Sequence, residues 1–248
     1  MRDIEPYPDG VVAVPARITG TAFFPGGYGL WNPRRIEPPP PLPVGGIMIL
    51  GHDFHSRAAF ERSFEAGGEV TDGPRSTYRT GSTWRNLLPL LEKAGIRPEE
   101  CFFTNAYMGL REGDATTGRF PGSRDPQFVA RCQRFFITQL RAQQPSIILA
   151  LGAWVPQFLA PLSAQLSKWR DQRSLDAIDD AGPVVPGTRF DGYDRECVVV
   201  ALTHPSLRGP NVRRRRYEKH VGGEAELAML ADARTLSGSR PDLRDTPG

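Results

Sequence analysis

Residues that could do chemistry directly follow a short apolar segment near the start of the chain. In GIMILGHDFHS, at residues 46–56, four consecutive apolar residues end at a glycine that is followed by His52, Asp53 and His55. Ligands of open α/β sheets bind outside the carboxyl ends of strands, and a glycine there lets backbone approach a ligand closely. The two histidines and the aspartate could also ligate a metal ion. The plainer interpretation is a strand that ends in a polar loop.

The same pattern recurs along the chain. Apolar runs without alternation are typical of strands that are covered on both faces of a parallel sheet. They predict strands at residues 47–50, 100–107, 146–151 and 197–202. The second of these ends near Asn105, the third at Gly152, and the fourth leads into His204. Polar residues or glycine therefore stand at the end of every predicted strand.

Helical periodicity separates these strands. Apolar residues at helical spacing predict helices over residues 83–94, 125–143 and 211–233, with a short helix ending at about residue 159. Strands that alternate with helices predict an α/β fold, a three-layer α/β/α sandwich with a central four-stranded parallel sheet. Because parallel strands end at one edge, residues 51–55, Asn105, Gly152 and residues 204–207 should gather into one site.

Composition limits the class of protein. The chain has 248 residues, a net charge of +3 and a pI of about 8.9, so any nucleic-acid signal must come from local clustering of charge. Cys101, Cys132 and Cys197 are widely spaced, which argues against a structural zinc site and a disulfide framework. With no leader and no apolar stretch near 20 residues, we expect a soluble cytoplasmic monomer without membrane contact.

The chain divides into three parts. Residues 1–45 form a proline- and glycine-rich arm, which we expect to pack partly on the domain through aromatic residues between 23 and 31. Residues 46–235 form the domain, and residues 236–248 a disordered tail. Residues 170–195 are polar, acidic and glycine-rich, and their pattern predicts no particular element.

Taken together, the motifs resemble a known family. LGHDFHS, FFTNAY, SIILALG and LTHPSL, in that order and each at a strand end, are similar to the motifs of the uracil-DNA glycosylase superfamily. The similarity covers about residues 47–217 and includes RTGSTWRNLLPLLEKAGI, which is similar to a segment of the bacterial and archaeal iron-sulfur branch. The resemblance implies a hydrolase that cleaves the N-glycosidic bond of uracil or a related damaged base in DNA, as in base excision repair.

The resemblance also implies roles for single residues. Asp53 would orient the attacking water and stabilise the cationic sugar, and His204 would bind the carbonyl of the departing base. Asn105 would read the Watson–Crick edge of a flipped base, since one amide can both donate and accept. Leu207 would fill the space that the extruded base leaves.

Further residues complete the implied site. Gly51 and His52 would supply backbone near the base, and Phe54 and Tyr78 are the candidates for a stacking ring. DNA contacts would come from Ser206 and from the basic run that follows it. This run comprises Arg208, Arg213, Arg214, Arg215, Arg216 and Lys219. Its plainer interpretation is a solvated helix face.

The sequence departs from the family pattern in two places. The iron-sulfur branch needs four cysteines, and Gly109 stands where one of them would follow the Asn105 motif, so we expect no cluster and no other cofactor. The first motif lacks the proline that follows the third residue in the classical uracil enzymes. Phe54 and His55 replace residues that help to exclude thymine, which leaves the identity of the base open.

Two alternatives remain at this point. A metal-dependent phosphoesterase could use His52, Asp53 and His55 as ligands, but it would need further ligands where the other strands carry Asn105 and Gly152. A glycosylase-like fold could also bind DNA or a nucleobase without cleaving it, as a sensor or an interaction module.

Overall fold

The computed structural model describes residues 4–14, 24–25, 42–59 and 82–238. Its centre is a set of four parallel strands, β3 (Ile47–Gly51), β4 (Cys101–Asn105), β6 (Ile147–Leu151) and β8 (Cys197–Leu202). They lie in the order β4-β3-β6-β8. Nearly every residue of these strands is buried, which is why their sequences are apolar without alternation. The predicted parallel sheet is confirmed.

Antiparallel strands extend both edges of this sheet. β7 (Val184–Thr188) pairs with β8, and β2 (Phe24–Pro25) pairs with β4, so the described residues form a six-stranded sheet. β7 lies in the segment whose sequence predicted no element. It contains Pro186 and Gly187, which weaken a strand signal but are tolerated at a sheet edge.

Two short antiparallel pairs lie outside the main sheet. β1 (Val11–Val12) pairs with β5 (Leu110–Arg111), and β9 (Arg216–Tyr217) pairs with β10 (His220–Val221).

Helices cover both faces of the sheet. They are α1 (Ser82–Lys93), α2 (Pro126–Gln143), α3 (Trp154–Leu159), α4 (Leu175–Ala181), α5 (Arg208–Asn211) and α6 (Gly223–Leu236). Met48 of β3 faces a core cluster that includes Phe136 of α2, while Ile49 faces a second cluster with Leu91 of α1 and Met229 of α6. Successive residues of a strand point to opposite faces, so the sheet carries two apolar cores. The predicted three-layer sandwich is confirmed.

The long α2 begins and ends as its sequence predicts. The Asp125 carboxylate accepts hydrogen bonds from the backbone N–H groups of Gln127 and Phe128, and Pro126 occupies the first turn. Gln144, in the left-handed conformation, ends the helix.

The prediction of a last helix over residues 211–233 is wrong in its first half. Residues 211–233 do not form one helix: α5 ends at Asn211, a turn of 3-10 helix spans Val212–Arg214, and the β9–β10 hairpin precedes α6. Glu218 and Gly222 have φ values of 51° and 66°, which a helix does not allow. The basic residues in this stretch lack the apolar periodicity that would hold a helix on the core.

Part of the N-terminal arm packs on the domain. Ile4 is fully buried, and Arg131 Nε donates a hydrogen bond to its carbonyl at 2.8 Å. Tyr7 contacts the Phe128 ring with centroids 6.0 Å apart. The aromatic residues expected to make such contacts lie outside the described residues, apart from the backbone of β2. Most of the predicted tail also lies outside them, although α6 continues to Leu236.

Within the described residues, no helix is long and apolar enough to cross a membrane.

Candidate active site

The ends of β3 and β4 meet at the predicted edge of the sheet. Gly51 and Asn105 are register partners there, and a Cβ on Gly51 would overlap Asn105 Oδ1. Past the strands, the backbone N–H groups of Ala106 and Tyr107 donate to the carbonyls of Gly51 and His52 at 2.9 and 3.0 Å. Glycine at position 51 therefore makes the room that the Asn105 carboxamide occupies.

Asp53 is held by several donors at once. Its Oδ2 accepts from Arg111 Nη2 at 2.8 Å, from Arg111 Nε at 3.2 Å and from His52 Nδ1 at 3.0 Å. Its Oδ1 accepts from the His55 backbone N–H at 2.8 Å. His55 has a φ of 81°, in the left-handed region that favours glycine, and this bond helps to hold it there.

Arg111 belongs to the site although no sequence motif marks it. Its side chain is 4% exposed, and all five of its N–H donors are used. Besides Asp53, they bind the carbonyls of Thr117, Gly118 and Arg119. The available signal was a single arginine at the end of the apolar stretch YMGL, but nothing local in the sequence connects it with position 53.

The carboxyl of Asp53 is ionised despite its burial. Desolvation alone would raise its pKa, but hydrogen bonds from His52 and Arg111 and the positive charge of Arg111 outweigh that effect and hold the pKa well below its usual range. The site therefore carries a fixed negative charge on Asp53, which is paired with the Arg111 guanidinium.

Asn105 presents an amide at the same edge. The carboxamide forms no hydrogen bond with any other side chain or backbone group in the described part of the chain. It is half-buried beside Gly51, so its donor and its acceptor are both available to a ligand.

His204 follows β8 and stands over Gly152, where a Cβ would lie 3.1 Å from His204 Cβ. Burial, aided by the nearby His52 and His55 and opposed by Asp53, lowers the pKa of His204 to about 4. At neutral pH the imidazole is uncharged, because its pKa lies well below 7. The influence of His52, Asp53 and His55 on this pKa shows that the loops after β3 and β8 lie together, as predicted.

The loop that carries His204 is fixed through its neighbours. Ser206 Oγ lies 2.8 Å from His204 Nδ1, and the Asn86 amide of α1 donates to the Pro205 carbonyl at 2.8 Å. The Thr203 N–H donates to Glu226 Oε1 at 2.6 Å. Leu207, at the tip of the loop, is 45% exposed. The loop thus presents an apolar side chain to solvent from a rigid base.

The basic run divides into inward and outward residues. Arg215 is fully buried, with its guanidinium bound to Asp179 and to Glu226 Oε1. Arg208 pairs with the same Glu226. Arg213 and Arg214 are exposed and form no hydrogen bond or ion pair with another described side chain. The run is therefore not one solvated face, since Arg215 belongs to the core.

Of the two candidates for a stacking ring, Phe54 and Tyr78, the structure describes Phe54. Phe54 is half-buried and packs against the core cluster around α2. Tyr78 lies outside the described residues. The ring of His52 is buried among aromatic side chains, with Tyr107 edge-on at 5.4 Å and Trp154 stacked at 6.2 Å. Its imidazole is therefore part of the wall of the site.

The cysteines do not fit an iron-sulfur cluster. Cys101 and Cys197 donate to different backbone carbonyls, and Cys132 Sγ accepts from the Met108 N–H at 3.5 Å. Burial raises the pKa of both Cys132 and Cys197 to about 12, so these thiols keep their protons. A Cβ on Gly109 would lie 2.5 Å from Val11 Cγ1, which leaves no room for a fourth cysteine there.

A metal-ligand set is not found either in residues 4–14, 42–59 and 82–238. These parts contain no group of three or more His, Cys, Asp and Glu side chains that could hold an ion. His52 and Asp53 bind each other instead, which weakens the phosphoesterase interpretation.

The fold and the site together define an α/β protein with a fixed carboxylate, a neutral imidazole and an open amide at one sheet edge. Residues 58–221 match the model of the uracil DNA glycosylase superfamily, and the chain belongs to that family. The match includes Asn105 and His204 but begins after Asp53. No curated protein matches the chain. Membership indicates DNA glycosylase activity in general terms, that of a hydrolase acting on DNA.

Proposed function

We propose that the protein removes uracil or a related damaged base from DNA by hydrolysing its N-glycosidic bond. The observation that carries this proposal is the pairing of an ionised, buried Asp53 with an uncharged His204 on neighbouring loops, beside the Asn105 amide. Cleavage of this bond places positive charge on the sugar and negative charge on the base. The Asp53 carboxylate suits the positive charge on the sugar, and the His204 imidazole suits the negative charge on the base.

Asp53 acts on the sugar side of the bond. A preorganised carboxylate stabilises the oxocarbenium character that develops as the bond breaks. Oδ2 is occupied by His52 and Arg111, whereas Oδ1 carries one backbone donor. Oδ1 is therefore the oxygen that binds and orients the attacking water.

His204 acts on the base side. When the Ser206 hydroxyl donates to Nδ1, the proton of the neutral imidazole is on Nε2. Nε2 then donates a hydrogen bond to the carbonyl of the departing base as negative charge grows on it. Because its pKa is about 4, His204 is neutral at pH 7 and acts as a hydrogen-bond donor, not as a charged acid.

Binding draws on the remaining residues of the edge. The Asn105 amide reads the Watson–Crick edge of a flipped base, and Gly51 keeps the amide in place. The exposed Leu207 fills the gap in the stack. Arg213 and Arg214 contact phosphates, which contribute affinity without sequence preference.

A panel of oligonucleotides tests the proposal. Duplex and single-stranded DNA, each carrying one modified base, is incubated with the protein, and abasic sites are then cleaved with alkali. We expect cleavage at uracil or at another damaged pyrimidine, unchanged by a chelator. Activity that is lost with the chelator and restored by a divalent cation would instead support a phosphoesterase.

One observation favours a second candidate, a DNA or nucleobase sensor that does not cleave. Arg111 lies against the Asp53 carboxylate and offsets part of the negative charge that would stabilise a sugar cation. A protein that binds the modified DNA tightly but leaves every base of the panel in place would support this function.

A further inference from the structure

A cavity lies beside His52, which is one of its lining residues. Its volume is about 190 Å³, and it is bounded by α2, α3 and the segments around Arg119 and Arg170. His52 Nδ1 binds Asp53 while the face of the ring stacks on Trp154, and Asp53, Asn105 and His204 do not line the cavity. The proposed roles of Asp53, Asn105 and His204 do not use this cavity.

The cavity is strongly basic. Arg119, Arg170 and Arg173 line it, and no acidic residue does. Arg119 binds Ser123 and Arg173 binds Gln157, which are both neutral, while Arg170 forms no side-chain hydrogen bond or ion pair with another described residue. Three guanidinium groups without a carboxylate partner attract an anion.

A tyrosine hydroxyl also reaches this cavity. Tyr107 is 7% exposed and lines the wall, and its hydroxyl has no hydrogen-bond partner in the described part of the chain. Burial raises the pKa of Tyr107 to about 12, so the hydroxyl stays protonated and can donate. The hydroxyl oxygen is accessible from the cavity, so an acceptor placed there can take its hydrogen bond.

An aromatic plane stands beside the basic groups. Trp154 is 36% exposed, with one face against His52 at an interplanar angle of 20°. Nucleobases stack on such rings. Pockets for drug-sized ligands have roughly 300 Å³ or more, so a cavity of about 190 Å³ suits one small group such as a phosphate.

We propose that this cavity binds the phosphate group of a nucleotide whose base lies against Trp154. The arginines and the Tyr107 hydroxyl supply the donors, and phosphate supplies only acceptors and negative charge. The nucleotide is either a residue of a DNA strand, in which case the inference rests on the proposed function, or a free mononucleotide.

The test compares ligands that differ in one feature. Equilibrium binding is measured for thymidine monophosphate, for thymidine, and for a single-stranded oligonucleotide with an abasic analogue. The proteins are the parent and the double variant Arg170→Gln/Arg173→Gln, whose folding is checked by thermal unfolding. Arg189→Gln is the matched control, because Arg189 is an exposed arginine that pairs with Glu196 and does not line the cavity.

We expect the double variant to bind the phosphate-bearing ligand at least about tenfold more weakly than the parent, with the control unchanged. Tyr107→Phe, which removes only the hydroxyl, should weaken the same ligand by a smaller factor. Weaker binding of the mononucleotide by the double variant identifies a free nucleotide as the occupant. Weaker binding of the oligonucleotide alone identifies DNA.

If the parent binds thymidine and its monophosphate with the same measurable affinity, the phosphate contributes nothing and the proposal is overturned. Unchanged binding of both phosphate ligands in the double variant would overturn it as well. A parent that binds neither phosphate ligand would do the same. Excision of a base by the parent is measured separately, so failure of this inference is distinct from failure of the proposed function.

Discussion

The two loops that carry Asp53 and His204 are held in opposite ways. At Asp53 the reactive side chain itself forms the buried ion pair, with Arg111 bound to its carboxylate. Near His204 the buried ion pairs do not include the reactive side chain. Glu226 binds two arginines there and accepts a hydrogen bond from the Thr203 N–H. The imidazole of His204 hydrogen-bonds to Ser206 alone among the described side chains.

Because of this difference, Asp53 contributes to the stability of the fold as well as to the reaction, whereas His204 contributes mainly to the reaction. The charge of Asp53 stabilises the fold, because Arg111 would otherwise be a buried cation without a partner. His204 carries no charge at neutral pH, and its loop is fixed by backbone contacts that survive loss of the side chain. Substitutions of Asp53 should therefore affect stability and activity, and substitutions of His204 mainly activity.

The largest expected effect is on the stability of an Asp53 variant. Asp53→Asn removes the charge that Arg111 pairs with, and breaking one partner of a buried ion pair costs about 3–5 kcal/mol. Urea denaturation measures the free energy of unfolding. His204→Ala is the matched comparison and should lose about 1 kcal/mol, the typical cost of a single substitution. Equal losses in the two variants would remove the distinction between the loops.

The second prediction concerns the pH dependence of stability. The pKa of His204 is about 4 in the folded protein and near its ordinary value of 6.5 in the unfolded chain. Between these values the unfolded chain binds the proton and the folded protein does not, so stability falls as the pH drops from 6.5 to 4. The loss due to His204 reaches about 3 kcal/mol.

Denaturation of the parent and of His204→Ala at several pH values between 7 and about 4.5 checks this prediction. The variant lacks the titrating group and should lose less stability over the same range. Asp53 contributes little there, because its carboxyl is ionised in the folded protein throughout this range and the unfolded chain takes up the proton only near the ordinary pKa of 3.8. Parallel curves would show that His204 is not the group responsible.

A smaller effect is expected at Gly51. In Gly51→Ala the new methyl group overlaps Asn105 Oδ1 and displaces the carboxamide, at a cost of about 1–3 kcal/mol. The variant should lose discrimination between bases more than it loses DNA binding. Gly209→Ala is the control, since a Cβ there meets open space near the same edge. Identical base profiles for the two variants would show that the position of Asn105 does not set specificity.

The smallest effects are expected at the exposed arginines. Replacing Arg213 and Arg214 by alanine should weaken binding to all DNA sequences alike and reduce the salt dependence by about 0.9 units of slope per lost phosphate contact on duplex DNA. Binding titrations over a range of salt concentrations measure this slope. Arg189→Ala should leave it unchanged. An unaltered slope in the Arg213/Arg214 variant would make these residues a solvated surface.

Much of the framework could be predicted from the sequence, because its signals are local. Four apolar runs predicted the parallel strands, and the rule that parallel strands end at one edge predicted the association of Gly51 with Asn105. The period of apolar residues predicted α2.

The electrostatics of the site could not be predicted in this way. The bond between Asp53 and Arg111 joins residues 58 positions apart, and no local pattern marks it. The charge run likewise gave no reason for Arg215 to turn inward, because the two carboxylates that receive it, Asp179 and Glu226, lie on separate helices. Burial of charge depends on which distant elements meet, and this becomes visible only in the folded chain.

Single-turnover excision by Asp53→Asn and His204→Ala, measured on the base that the parent removes, tests the central claim most directly. Both variants are compared with the parent at a temperature where their unfolding curves show them folded, and binding to DNA with an abasic analogue is measured beside excision. Loss of one preorganised electrostatic contact should slow excision by about a hundredfold to a thousandfold in each variant, with binding unchanged. Excision by either variant at the parent rate would contradict the assignment of that residue to the active site.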